Sequence, residues 1–150
     1  MHKSKLAAIL VCFAVTAPSG AQDSSIAAAE QFFAQYAALE RAYDSSMAEL
    51  YADEALIKTK RKYPMGEAGQ MIIPAAQYKT MLRELIPIAK ARGDRCTYSN
   101  VTYTQEGAFV RIDALRFTEP RKYTSPISLL VGRSPRGSWL IYEESSESQP

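Results

Sequence analysis

Histidine is almost missing from this chain. His2 is the only one in 150 residues, and only two cysteines, Cys12 and Cys96, and one tryptophan, Trp139, accompany it. Beyond residue 21 there is no histidine and one cysteine. That stretch therefore cannot carry Ser-His-Asp or Cys-His catalysis, a histidine general base, or a histidine-based zinc or iron site. One thiol can close neither an intrachain disulfide nor a structural zinc site. No metal and no cofactor are expected, and Cys96 reads as a small buried side chain. Gly66-Glu67-Ala68-Gly69 lacks the Lys-Ser/Thr that completes a phosphate loop, so it reads as a turn. Internal repeats, low-complexity segments and linkers are also missing.

What is present begins with residues 1–21. Lys3 and Lys5 flank a basic start, Leu6–Ala17 is an apolar run, and Ser19-Gly20-Ala21 offers small residues before Gln22. This is the layout of a cleavable signal peptide, cut after Ala21, and the run is too short to anchor in a bilayer. Val11 before Cys12 argues against lipidation. The expected destination is the periplasm or the exterior, with no stable membrane span after cleavage. The segment holds two of the 18 basic residues and none of the 16 acidic ones, which leaves 16 of each. A neutral domain is a poor nucleic-acid binder. Its length suits one domain able to fold unaided.

Along residues 22–144, Asp23–Ser25 can cap a helix from Ile26 to about Ala42, with Ala29, Phe32, Phe33, Tyr36 and Leu39 on one face. Ser46-Met47-Ala48-Glu49 fits a capping box for a short second helix. Ala55–Tyr63 alternates as a strand, Pro64–Gly69 is a loop and Gln70–Ile73 a short strand. Pro74 opens a third helix that Pro87 should kink near Ile86 and Gly93 should end. Cys96–Thr104, Ala108–Thr118, Ser125–Arg133 and Ser138–Glu144 read as four strands separated by turn signals. Residues 145–150 read as a frayed tail. Three helices preceding and interrupting a run of strands predict an α+β domain, its helices packed on a curved, mostly antiparallel sheet.

Three stretches carry a resemblance. Leu50-Tyr51-Ala52-Asp53-Glu54-Ala55-Leu56-Ile57 resembles the turn into the first strand of the nuclear-transport-factor-2-like superfamily. The order α-α-β-β-α-β-β-β-β resembles its cone-shaped, cystatin-like roll. Ser138-Trp139-Leu140-Ile141-Tyr142-Glu143 is similar to its terminal Trp-x-Ile strand. The resemblance covers nearly all of the chain beyond residue 21 and points to an exported bacterial member of the SnoaL-like and steroid-isomerase-like branch. That superfamily hosts isomerases, dehydratases, cyclases, ligand binders and interaction domains, so the fold leaves function open.

The resemblance implies a steroid-isomerase-like site with a carboxylate base in the first strand and an oxyanion hole of Tyr and protonated Asp. The base would fall at Lys58 or Thr59, which cannot serve, and the helix-one tyrosine falls at Gln35, beside Tyr36. Ile112-Asp113-Ala114-Leu115-Arg116-Phe117 is similar to the Ile-Asp-x-x-Arg-Phe stretch of those isomerases. Arg111, two residues before Asp113 on the same strand face, favours an ionised carboxylate, the opposite of what an oxyanion donor needs.

Phe109, Leu115 and Phe117 carry more apolar area than Val110, Ile112 and Ala114, which places the Phe face in the core and Arg111 and Asp113 inside the cone. The reverse parity, with the pair facing solvent, stays open. Tyr36, Tyr78, Tyr98, Tyr103 and Trp139 read as core or as the lining of a pocket. Lys58, Lys60 and Lys62 read as a strand face that discourages edge pairing, or as a patch for an acidic partner. The outward sheet face could support a homodimer. The function expected is non-catalytic binding: a small, partly apolar ligand in the cone, or a protein of the cell envelope docked outside. An isomerase-, dehydratase- or cyclase-like enzyme using Asp113 and Arg111 is the alternative.

Overall fold

The computed structural model describes residues 19–66, 69–119 and 121–149. The signal expected over residues 1–21 therefore lies outside the described residues except for its last three. Those three open helix α1, Ser19–Ala42, which begins earlier than the sequence pattern indicates. Ala29, Phe32, Phe33 and Tyr36 form its buried stripe. A 3₁₀ helix follows at Ser45–Leu50. Its cap is Asp44, whose carboxylate accepts the Ser46 N–H at 2.9 Å, rather than the capping box expected from Ser46 and Glu49. Helix α2, Ala75–Arg92, continues past Pro87 without ending there. The turn around Pro87 is exposed, so water can satisfy the carbonyl that loses its donor and the helix survives. Gly93, at φ 69°, closes it in the left-handed conformation that glycine adopts without penalty.

Six strands form one sheet: β1 Tyr51–Arg61, β2 Gln70–Pro74, β3 Arg95–Glu106, β4 Phe109–Glu119, β5 Tyr123–Arg133 and β6 Trp139–Ser148. Their order is β2-β1-β6-β5-β4-β3, and every neighbouring pair is antiparallel except β1 with β6. The fold is the expected α+β class with a mostly antiparallel sheet. Two details differ from expectation. Residues 145–148 are not a frayed tail but the second half of β6, paired with both β1 and β5. Strand β1 is internal, so the outward Lys58 and Lys60 do not guard a free edge; β2 is the edge.

Both helices pack on the same sheet face, α1 over β3 and β4, and α2 over β1 and β2. Ile57, Ile112, Leu129, Val131 and Ile141 are fully buried beneath them. The parity of β4 is the reverse of the area-based expectation. Val110, Ile112 and Ala114 face the helices, while Phe109, Leu115 and Phe117 are half-buried on the outer face. At this part of β4 the short Val110, Ile112 and Ala114 lie under the helices, where they pack closely against the pleated face. Phe109 instead lies over Gly132, its neighbour on β5: a Cβ there would stand 2.5 Å from the ring. The ring also meets Tyr142 edge to face at 5.2 Å. No helix among the described residues is long and apolar enough to cross a membrane.

Candidate functional site

The inner face changes character along its strands. At one end it is sealed and apolar. At the other end strand register places a row of polar groups: Thr59 on β1 beside Ser146 on β6, then Ser125 on β5 beside Arg116 on β4, then Tyr98 and Cys96 on β3 opposite Arg116 and Thr118. All but Ser125 are half-exposed. From α2, Leu82 and Ile86 pack toward the core and stay half-exposed as well. This end of the inner face, the mouth of the cone, carries polar groups from β1 across to β3.

Below the mouth lie two carboxylates bonded by phenols, Glu144 buried and Glu40 half-buried. Glu144 is 1% exposed. Tyr51 Oη donates to Glu144 Oε2 at 2.5 Å, and Tyr78 Oη donates to Oε1 at 3.1 Å. The two rings meet edge to face at 5.1 Å. Glu40, at the end of α1, accepts the Tyr98 hydroxyl at 2.6 Å. Tyr36 packs between them, 5.9 Å from Phe33 and 6.1 Å from Tyr98.

Burial, reinforced by Glu144, holds Tyr36, Tyr51 and Tyr78 well above the ordinary phenol range. Tyr98 is raised by burial and then by Tyr36 and Glu40. Burial also raises Glu40, although the Tyr98 hydroxyl pulls it back. The Cys96 thiol is pushed up to about 11, chiefly by burial and then by Glu40. Burial works against the charge on Arg116, but Tyr36, Tyr98, Cys96 and Glu144 outweigh it and raise the guanidinium, which is charged throughout.

Both oxygens of Glu144 accept phenol hydrogen bonds, while Glu40 accepts through Oε2 alone. β1 contributes Thr59 to the inner face at the position where the isomerase resemblance needs a carboxylate.

Of the residues singled out by sequence, Tyr36 and Tyr78 sit inside, and Tyr103 is half-buried on the inner face opposite Ile112. Trp139 is at the far end, in a groove of about 540 Å³ with Phe32, Gln35 and Leu50. Arg111 and Asp113 are on the outer face and not in the cone. Arg111 Nε donates to Glu106 Oε1 at 3.1 Å and its Nη1 pairs with Glu143 Oε2 at 3.5 Å, while Asp113 is exposed. Asp113 and Lys60 instead border an outer recess of about 460 Å³ with Ser128, Ser145 and Leu115. Lys58 shares that outer face, and Lys62 follows the strand, its N–H donating to the Ser148 carbonyl. Sequence reasoning passed over Arg116, Ser125, Glu40, Tyr51 and Glu144. The signal for Arg116 was there: it shares the parity of Ile112 and Ala114. Among the described residues no group of acidic, cysteine or histidine side chains could hold a metal ion.

No family model and no curated protein matches the sequence. Solved structures do match. An NTF2-like protein of unknown function from Pseudomonas putida is 12% identical, with 84% of this chain and 87% of that one covered and a TM-score of 0.65. An NTF2-like protein with a cystatin-like fold from Novosphingobium aromaticivorans is 14% identical over 85% and 83%, at 0.58. This chain has the NTF2-like, cystatin-like fold. A further match, a protein from Catenulispora acidiphila in complex with S-DNPA, is 14% identical over 86% and 94%, at 0.53. At these identities the likeness is one of fold, and the site rests on this chain's own residues.

Proposed function

We propose that this NTF2-like domain is an exported binding protein that holds a small, partly apolar molecule at the mouth of its cone without transforming it. One observation carries the reading. The buried Glu144 has both oxygens capped by tyrosine hydroxyls and Glu40 accepts from Tyr98, while donors of the polar row beside them stay part-exposed. A site arranged for proton transfer would leave its base free to reach a substrate; this one leaves donors, with Leu82 and Ile86 half-exposed on α2. The complex of the Catenulispora acidiphila protein with S-DNPA supports a small-molecule role for a domain of this shape. The basic start and apolar run of residues 1–17 support export.

Native mass spectrometry of the protein purified from its own envelope tests the proposal. The expected result is a chain beginning at Gln22 that carries a small adduct released on denaturation. A bare chain, or one found only with a stoichiometric protein, overturns it. The second outcome favours docking outside the cone, for which the half-buried Phe109, Leu115 and Phe117 and the recess beside Lys60 supply a surface.

A further inference from the structure

Arg116, the cation at the mouth, points inward from β4. Arg116 makes no ion pair with any described carboxylate. Its Nη2 donates to the Glu147 carbonyl at 3.1 Å, and its Nε is buried without an acceptor. Arg111, closer to solvent on the same strand, is matched by Glu106 and Glu143. The acids nearest Arg116 are otherwise engaged, Glu144 by Tyr51 and Tyr78 and Glu40 by Tyr98. Directly across the strands from Arg116 stands Ser125, 1% exposed, with its Oγ also unpartnered. A charged group taken out of water and left unpaired, beside a buried hydroxyl with nothing to bond, costs stability twice over. One acceptor reaching both would satisfy them together.

We infer that the molecule held at the mouth carries a carboxylate, and that Arg116, with Ser125 beside it, anchors that carboxylate while Leu82 and Ile86 cover an apolar body. The inference rests on the small-molecule reading above. A single guanidinium and one hydroxyl, with Glu40 and Glu144 close by, match a monoanion; a phosphate dianion would meet one cation and two acids. The guanidinium edge and the Ser125 hydroxyl offer N–H and O–H donors, which the lone pairs of a carboxylate accept.

Calorimetry with octanoate and benzoate, each against its neutral amide, tests this, together with the Arg Nε–Hε resonances in ¹⁵N spectra. The expected result is that at least one acid binds about tenfold or more tightly than its amide, a preference of charge-assisted over neutral hydrogen bonding. The Arg116 Hε resonance should shift on binding. R116Q should abolish the preference and R116K retain part of it, with thermal melts showing both variants folded. Acids and amides that bind alike at the mouth overturn the carboxylate while leaving the small-molecule reading intact. A native adduct with no acidic group does the same. An Hε resonance that no acid moves, with a water bridging Arg116 Nε and Ser125 Oγ in a crystal structure, shows a structural hydration site and overturns the anchor. Probe shifts confined to the outer face, with no native adduct, overturn both.

Discussion

Tyr51 and Glu144 are joined across the parallel pair of the sheet by a hydroxyl-to-carboxylate hydrogen bond buried from solvent. Removing the phenolic oxygen leaves a fully enclosed carboxylate with one donor where it had two. Tyr51→Phe should therefore destabilise the fold by about 1–3 kcal/mol, the cost of an unsatisfied buried charge-assisted bond. Tyr78→Phe should cost less, since its bond is longer. Urea unfolding with unchanged slope checks both.

The packing of Phe109 over Gly132 gives a second prediction. Gly132→Ala puts a methyl against the ring and should cost about 1–3 kcal/mol, the usual penalty of overpacking. In a Phe109→Ala background the same change should cost well under half as much. A double-mutant cycle that returns simple additivity would show that the ring moves aside freely.

The phenols of Tyr36, Tyr51, Tyr78 and Tyr98 are all raised by burial above the ordinary value of 10.0. Above about pH 10 the unfolded chain releases protons that the native chain keeps, so stability is present below that pH and falls as pH rises through it. Absorbance at 295 nm should show these four tyrosines ionising together with unfolding, in a step coincident with loss of circular dichroism. Smooth ionisation within a folded protein would contradict their burial.

Glu40 titrates in the opposite part of the range. Its carboxyl is raised by burial, so the native state holds a proton that the unfolded state gives up, and stability declines as pH rises from the unfolded carboxylate value toward the native one. Tyr98→Phe removes the hydrogen bond that favours the ionised form and should push Glu40 higher still. Carbon-13 titration of the Glu40 carboxyl in both proteins reads the direction.

Cys96, raised to about 11, has little thiolate at pH 8. Its alkylation by iodoacetamide, followed by peptide mass mapping, should be at least tenfold slower in the native protein than in urea. Equal rates would place the thiol in free solvent.

The frame of the molecule was legible because its signals are local. Phe32, Phe33 and Tyr36 at helical spacing, Gly93 after the last turn of α2 and Gly107 between β3 and β4 each act within a few residues. The mouth was not, for a physical reason. Strand β6 stops alternating in hydrophobicity after Ile141, because Glu144, Ser146 and Ser148 take up the inner face with polar groups. Hydrogen bonding to β1 and β5 carries the strand on without any apolar pattern to betray it. On β4, summed apolar area favoured the Phe face, whereas the uniform Val110, Ile112 and Ala114 marked the inside. With that parity, Arg116 falls in the cone and Arg111 and Asp113 fall outside.

The last strand to be made is also the one that joins β1 and β2 to the rest of the sheet. Until the ribosome has released residues near 148, the first two strands have no partner on their inner side, and Tyr51 has no carboxylate to meet. Closure of the cone waits on β6. A polypeptide wired this way stays open until β6 has been made, the state in which a chain can still be threaded through a narrow channel, and it locks only when that strand arrives.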